Sequence, residues 1–318
     1  MSWLRLSQIA DMVGGRLIGA DAAIESLTID SRTLSAGQLF VALRGTNFDG
    51  YDFVPQAIAA RAGGVLVGRD ISAGGSKILV EDTLVALQRL AARWRDALTM
   101  PVIALTGSNG KTTVKEMIAS VLSREGSVLA TRGNLNNHIG VPLTLLSIRP
   151  QHTYAVVEMG ANHPGEIAAL TALVRPDLAL ITNAAAAHLE GFGSIEGVAR
   201  SKGEIFQGLR EDGTAIINAD DQYADYWRGL NKQRKRLSFG IEHQADVRAR
   251  ALTADQWCVT TPQGEFGTKL KLPGRHNVRN ALAAAAVSIA AGVNLFAVKA
   301  GLEAVQTVRG RLVFRAGH

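Results

Sequence analysis

A strand-like run, Pro101-Val102-Ile103-Ala104-Leu105-Thr106, leads directly into Gly107-Ser108-Asn109-Gly110-Lys111-Thr112-Thr113 and then into a segment whose Val114, Met117, Ile118, Val121 and Leu122 share one helical face. Strand, glycine loop and helix in that order form a cradle for a polyphosphate. Glycines let successive backbone N–H groups wrap the anion, and the following helix presents its positive dipole end. In such a loop Lys111 neutralises the β and γ phosphates, and the Thr112 hydroxyl ligates the magnesium ion that bridges them. Gly107, Ser108, Asn109, Gly110 and Thr113 complete the expected nucleotide contacts. The strict Walker spacing asks for a glycine at position 105, where this chain has Leu105.

Four further stretches carry groups able to act beside bound phosphate. Val156-Val157-Glu158-Met159-Gly160 ends a strand-like run in a carboxylate, on the side where open α/β sheets bind ligands. Glu158 there is either a metal ligand or a local cap or ion-pair partner. Asn183-Ala-Ala-Ala-Ala-His188 follows another such run, and a histidine in a loop is ordinarily just solvated. Lys202, in Ala199-Arg200-Ser201-Lys202-Gly203-Glu204, lies on a predicted helix, where a lysine is ordinarily a surface residue. Asn280, in His276-Asn277-Val278-Arg279-Asn280, opens a long alanine-rich helix, where asparagine also serves as a cap.

The elements that must position these groups follow from apolar patterning. Runs at 102–106, 154–159, 178–182 and 214–218 alternate with helical segments, which argues for a mostly parallel sheet with helices on both faces. After residue 236, short segments at 236–239, 247–252, 257–261 and 266–272 suggest an antiparallel addition before a final helical pair. Ahead of this unit, strand-like 39–43, 65–67 and 78–80 with an amphipathic 53–62 predict a small α/β domain. Leu84, Leu87, Leu90, Trp94 and Leu98 recur at helical spacing, and that helix should stop before Pro101.

Composition sets the outer bounds. With 318 residues, 47% apolar and 19% charged, the chain has material for two cores at roughly 150 residues each. A formal charge of +6 and a pI near 9.7 favour anionic partners without separating nucleic acid from nucleotides. The densest basic run, Lys232 to Arg236, is expected to be a solvated loop. One cysteine, Cys258, leaves no internal disulfide and fits a reducing compartment. The N-terminus has no secretory apolar stretch, and the longest apolar run, 281–293, is shorter than a membrane span. A cytoplasmic protein with no membrane insertion is expected.

Taken together, the loop Thr106-Gly-Ser-Asn-Gly-Lys-Thr-Thr113 resembles that of the Mur ligases and their folylpolyglutamate synthetase relatives. The resemblance implies ATP and Mg2+ as cofactors, with metal ligands at Thr112, Glu158, His188 and Lys202, the lysine carbamoylated. It also implies adenine contact at Asn280 and an arginine approaching the ATP phosphates at Arg311, within Arg309-Gly310-Arg311. Lys111, Lys202, His188 and Arg311 are thus the expected catalytic set. Asp30-Ser31-Arg32 with Gly37-Gln38-Leu39-Phe40-Val41-Ala42-Leu43-Arg44-Gly45 is similar to the uridine-binding domain of the tripeptide and pentapeptide synthetases. Gly133-Asn134-Leu135-Asn136-Asn137-His138 and Glu158-Met159-Gly160 are similar to the branch that adds D-alanyl-D-alanine to UDP-N-acetylmuramoyl tripeptide. Ser31, Arg32, Thr46, Asn47, Asn134 and Asn137 are the substrate contacts this implies.

The implied layout is a uridine-binding domain over 1–83 and a P-loop-like central domain over 84–313. Residues 314–318 would begin a Rossmann-like C-terminal domain, which carries much of the D-alanyl-D-alanine site in the family. A monomer is expected that binds UDP substrate, binds ATP weakly and does not ligate as this polypeptide alone. The competing readings are another amide ligase of the same fold, a regulatory ATP-binding module and a nucleic-acid ATPase. An amide ligase of the folylpolyglutamate type should lack the Asp30-Ser31-Arg32 domain. A regulatory module has no reason to hold Glu158, His188 and Lys202 together, and the nucleic-acid reading rests on charge alone, so no nucleic-acid partner is expected.

Overall fold

A computed structural model describes residues 3–45, 49–70, 72, 74–187, 189–253 and 255–306. Thr46, Asn47, His188 and Arg311 lie outside the described residues. The chain divides into two compact units, the first comprising Met1–Leu98 with Leu145–Ser147 and the second beginning at Thr99.

The first unit runs β1 (Leu4–Arg5), α1 (Leu6–Val13), β2 (Arg16–Ile18), β3 (Ala23–Ile24), β4 (Leu27–Thr28), β5 (Leu39–Val41), a 3₁₀ turn (Gly50–Phe53), α2 (Val54–Ala59), β6 (Gly64–Val67), β7 (Lys77–Leu79) and α3 (Thr83–Asp96). Its five-stranded sheet has the order β2-β7-β6-β5-β4, parallel throughout except for β2. Phe40, Ala42, Val54, Ala57, Val65 and Val67 form a core between sheet and α2. Asp82 caps α3 by accepting from the amides of Leu84 and Val85, and the helix buries Leu87, Leu90 and Trp94 as its spacing predicts.

The second unit runs β8 (Val102–Thr106), α4 (Lys111–Leu122), β9 (Val128–Ala130), α5 (Gly140–Leu146), β10 (Tyr154–Glu158), α6 (Glu166–Val174), β11 (Leu178–Ile181), α7 (Leu189–Phe192), α8 (Ile195–Gly203), a 3₁₀ turn (Glu204–Gln207), β12 (Thr214–Asn218), α9 (Ala224–Leu230), β13 (Lys235–Gly240), β14 (Val247–Ala251), β15 (Gln256–Thr261), β16 (Gly264–Lys269), α10 (Arg275–Ala290) and α11 (Leu295–Ala304). Nine strands form one sheet in the order β16-β15-β14-β13-β12-β11-β8-β10-β9. Ile103, Leu105, Val156, Leu180 and Ile216 share a core with α4, α10 and α11, while the alternate residues Val102, Ala104, Val157, Ala179 and Ile217 are buried too. Burial of both alternating sets means that both faces are covered, which is why these strands read as continuous apolar runs.

Two expectations need correction. The four segments after residue 236 are not all antiparallel: β13 and β14 extend the parallel run, and only β15 and β16 reverse. β13 and β14 overlap through just Phe239–Val247 and Gly240–Arg248, so the chain steps forward past the end of β13 instead of folding back along it. The basic run is likewise not purely a loop, because Lys235 and Arg236 open β13 with their side chains exposed. Helix α4 packs against both α10 and α11, and its Ser120 hydroxyl donates to the Gly301 carbonyl of α11 at 2.8 Å. Among the described residues, no helix is long and apolar enough to cross a membrane.

Candidate active site

Strand β8 lies inside the sheet between β10 and β11, so the order of connections reverses beside it, where a crevice opens at the carboxyl ends of the strands. The glycine loop leaves β8 at this edge. Gly107 has φ +149°, and a Cβ there would lie 2.0 Å from the Thr182 hydroxyl, so only glycine lets the loop pass the end of β11. Leu105 stays buried in β8, and the freedom that the strict Walker spacing places at 105 is supplied two residues later.

The loop is pinned by the segment after β11. Ser108 donates its amide to the Asn183 carbonyl at 2.9 Å, and its hydroxyl accepts from the Ala185 amide at 2.9 Å. The Asn109 amide donates to Asn183 Oδ1 at 3.0 Å, and the Asn109 carbonyl accepts from Thr182 Oγ1 at 2.7 Å and Asn183 Nδ2 at 3.0 Å. Thr182 and Asn183 are thus site residues that the sequence reading passed over on the way to His188. Lys111 is the first residue of α4, and its Nζ turns back onto the carbonyls of Gly107 at 2.7 Å and Ser108 at 3.2 Å. Thr112 and Thr113 follow in the first turn, half-buried.

Glu158 ends β10, opposite Leu105 in register, and is 2% exposed. Its Oε1 accepts from Asn136 Nδ2 at 3.0 Å, and its amide donates to Thr131 Oγ1 at 2.9 Å. Oε2 makes no hydrogen bond. The Lys115 ammonium stands 3.9 Å from it, an ion-pair separation too long for a hydrogen bond. Sequence reasoning missed Asn136 and Lys115. Each is remote along the chain from Glu158, and an i+4 lysine on a helix gives no signal that it points inward.

Lys202 sits in the last turn of α8 and is 3% exposed, its Nζ 5.3 Å from the centre of the Phe192 ring. Burial first, and then the charge of Lys111, bring its ammonium down to about 8, against the opposite pull of Glu166 and Glu204. The two lysines therefore feel one another across the site. Glu204 accepts from the amides of Gly165 at 2.8 Å and Ala168 at 3.0 Å, fixing the start of α6 beside it.

At the start of α10, Asn280 packs against the loop, since a Cβ at Gly110 (φ +80°) would lie 2.6 Å from Asn280 Oδ1. Asn280 is inside the helix and is not its cap. Arg279 is tied to Asp220 at 3.2 Å, and Asp220 also accepts from the amides of Ile241, Glu242 and His243. Burial would raise the Asp220 carboxyl, but these donors outweigh it and hold it below its ordinary range. Asn137 Oδ1 caps α5 through the amides of Ile139 at 3.1 Å and Gly140 at 2.9 Å, while Asn134 is exposed. In the first unit, Asp30 grips Arg32 in a two-point fork at 2.8 and 2.7 Å, leaving the Arg32 side chain 84% exposed beside Ser31.

The described groups fit a magnesium ion. Mg2+ takes hard oxygen donors, keeps several waters and commonly uses one or two carboxylates plus substrate phosphates. A buried carboxylate with one oxygen that accepts no hydrogen bond, on the edge that carries the Thr112 hydroxyl, has that character. Among the described residues, no cluster of three or more histidine, cysteine or acidic side chains is spaced to hold a metal, as a dedicated protein cage would need.

This loop, edge and sheet are those of a ligase class. Residues 105–288 match the family described as Mur ligase middle domain, and residues 23–95 match Mur ligase family, catalytic domain. The chain belongs to the Mur ligase family. It is 49% identical over 312 residues to the UDP-N-acetylmuramoyl-tripeptide–D-alanyl-D-alanine ligase of Escherichia coli K12, an alignment covering 96% of this chain and 69% of that one. The structure superposes on MurF from Acinetobacter baumannii with TM-score 0.92 and 39% identity, covering 100% of this chain and 72% of that chain. MurF from Thermotoga maritima, solved in complex with ADP, gives TM-score 0.75 at 29% identity, covering 90% and 67%.

Proposed function

We propose that this chain serves an ATP-dependent amide ligase that joins D-alanyl-D-alanine to UDP-N-acetylmuramoyl tripeptide in cytoplasmic peptidoglycan precursor synthesis. The observation that carries the reading is one sheet edge where a phosphate-type glycine loop meets a buried carboxylate with a free oxygen, near a buried lysine brought down to about 8. The relatives named for this reaction agree with it.

A peptide carboxylate is a poor electrophile. Its oxygen first attacks the γ-phosphorus of ATP, the bond to the β-phosphate oxygen breaks, and ADP leaves behind an acyl phosphate. The D-alanyl-D-alanine amine then attacks the carbonyl carbon, loses a proton, and expels inorganic phosphate as the amide forms. Lys111 leaves the loop carbonyls and turns its ammonium to the β and γ phosphates, while the amides at the start of α4 donate to the remaining phosphate oxygens. Thr112 Oγ1 and Glu158 Oε2 would hold magnesium, with His188 and carbamoylated Lys202 as further ligands. When bound, the ion supplies charge neutralisation across the phosphates. A lysine at about 8 offers the neutral amine that carbamoylation requires at physiological pH. Asn280 reads the adenine and Arg311 approaches the phosphates. Ser31, Arg32, Thr46, Asn47, Asn134 and Asn137 hold the UDP-muramoyl substrate, whose remote binding energy orients the reacting carboxylate. The protein acts as a monomer.

Calorimetric titration with UDP-muramoyl tripeptide tests the substrate class, with UDP-N-acetylglucosamine as control and an Asn47→Ala/Asn137→Ala variant. Tight binding of the tripeptide conjugate alone, lost in the variant, is expected. Equal affinity for the two UDP sugars would overturn the assignment.

A further inference from the structure

Lys115 is 1% exposed, one turn along α4 from Lys111. Its ammonium donates to the Thr131 carbonyl at 2.7 Å and pairs with Glu116 Oε1 at 3.1 Å. The third group it faces is Glu158 Oε2 at 3.9 Å, the oxygen that no hydrogen bond satisfies. The aim of the carboxylate is fixed by other groups, Asn136 at Oε1 and Thr131 at the amide. A lysine serving only as a structural counter-ion closes to about 2.8 Å on its carboxylate. Here the Thr131 carbonyl and Glu116 take the ammonium's short contacts, leaving a positive charge opposite Oε2 and the oxygen without a hydrogen.

We propose that Lys115 is a resident counter-ion for the cation position at Glu158, balancing the carboxylate while no metal is bound and opposing a divalent cation that arrives alone. This rests on the reading of Glu158 as a magnesium ligand. A cation on Oε2 lies within a few ångströms of the ammonium, where like charges in a poorly solvated site repel strongly. Only a ligand that brings its own negative charge, a nucleoside triphosphate, outweighs that repulsion. By linkage the two ligands then favour each other equally, so metal and nucleotide load together. The device filters out free divalent cations without adding a metal ligand.

The test is Mn2+ binding followed by electron paramagnetic resonance, with and without a non-hydrolysable ATP analogue. Without nucleotide, Lys115→Met is expected to bind Mn2+ about tenfold more tightly than the unaltered protein, and the gain conferred by the analogue shrinks by the same factor. Lys115→Gln, which still donates to the Thr131 carbonyl, is expected to do the same, and Lys115→Arg to stay unchanged. Neutral variants with unchanged or weaker Mn2+ affinity overturn the proposal. Glu158→Gln separates the two ideas. If it binds Mn2+ as well as the unaltered protein, the ligand reading of Glu158 fails; if it loses Mn2+ while the Lys115 variants do not differ, only the counter-ion proposal fails. Should the neutral variants not fold, the ¹⁵Nζ resonance of Lys115 in the unaltered protein decides. It is expected to move when Mg2+ is added together with the ATP analogue and to stay in place with Mg2+ alone, and a resonance unmoved by the two together overturns the proposal.

Discussion

The edge around the glycine loop and the Asp30–Arg32 turn of the first unit both present charged side chains, yet they are built in opposite ways. Around the loop nearly every polar group is spoken for: Asn109, Thr182 and Asn183 lock one another, and Asn136, Thr131 and Lys115 surround Glu158. Buried polar groups are costly when unpaired, so this region has one arrangement available and is shaped before any ligand arrives. The Asp30–Arg32 fork is exposed and local, two residues apart along the chain. It aims a guanidinium but has no packing to defend its position. One region is held by the fold, and the other only by its own local ion pair.

The sharpest way to break the loop side is Gly107→Ala. The added Cβ overlaps the Thr182 hydroxyl and the backbone sits in a left-handed region, so a loss of ~3 kcal/mol in chemical denaturation is expected, together with loss of ATP binding by calorimetry. Asn136→Ala is the next effect in size. It strips the Asn136 hydrogen bond from Glu158 Oε1 and should cost ~1–3 kcal/mol, with Mn2+ affinity in the presence of nucleotide falling in parallel. The exposed fork should behave in the opposite sense. Arg32→Ala is expected to lower the unfolding midpoint only slightly at neutral pH, because the exposed pair is screened by solvent, while weakening UDP-muramoyl tripeptide binding. The same variant also tests the titration of Asp30, whose carboxyl is held at about 2 chiefly by its side-chain hydrogen bonds from Arg32. A depressed carboxyl favours the fold above its ordinary value near 3.8, and that preference disappears as pH falls toward about 2. In the variant the Asp30 carboxyl carbon should titrate higher in NMR but still below its ordinary value, because the amide of residue 32 keeps donating to it, and an unmoved titration would mean the fork does not set it.

The parts that could be read directly from the sequence are those encoded locally. Strand, glycine loop and helix are contiguous over residues 101–122, and the doubly buried strands announce themselves as apolar runs. Lys202 and Glu158 were reachable because their places follow from the ends of such elements, with the resemblance supplying their roles. Asn136 and Lys115 were not, since each meets Glu158 only after separate crossovers bring β10, α4 and the loop before α5 together. Their residue types gave no warning either. A lysine in Val114-Lys115-Glu116 has the pattern of a solvated helix face, and only the tertiary packing turns it inward. The same limit applies to β13 and β14, whose apolar alternation says that they are strands but not which way they pair.

The bond from Ser120 to the carbonyl of Gly301 joins residues 181 positions apart. On a ribosome, the helix that opens with Lys111 therefore emerges long before the partners that cover its flank, and contacts of such long range are made late. The phosphate loop can be pinned as soon as the segment after β11 has emerged, but the flank of the helix that it opens into is covered only when α10 and α11 arrive. A nascent polypeptide of this protein thus carries an uncovered apolar flank on α4 until α11 has left the ribosome.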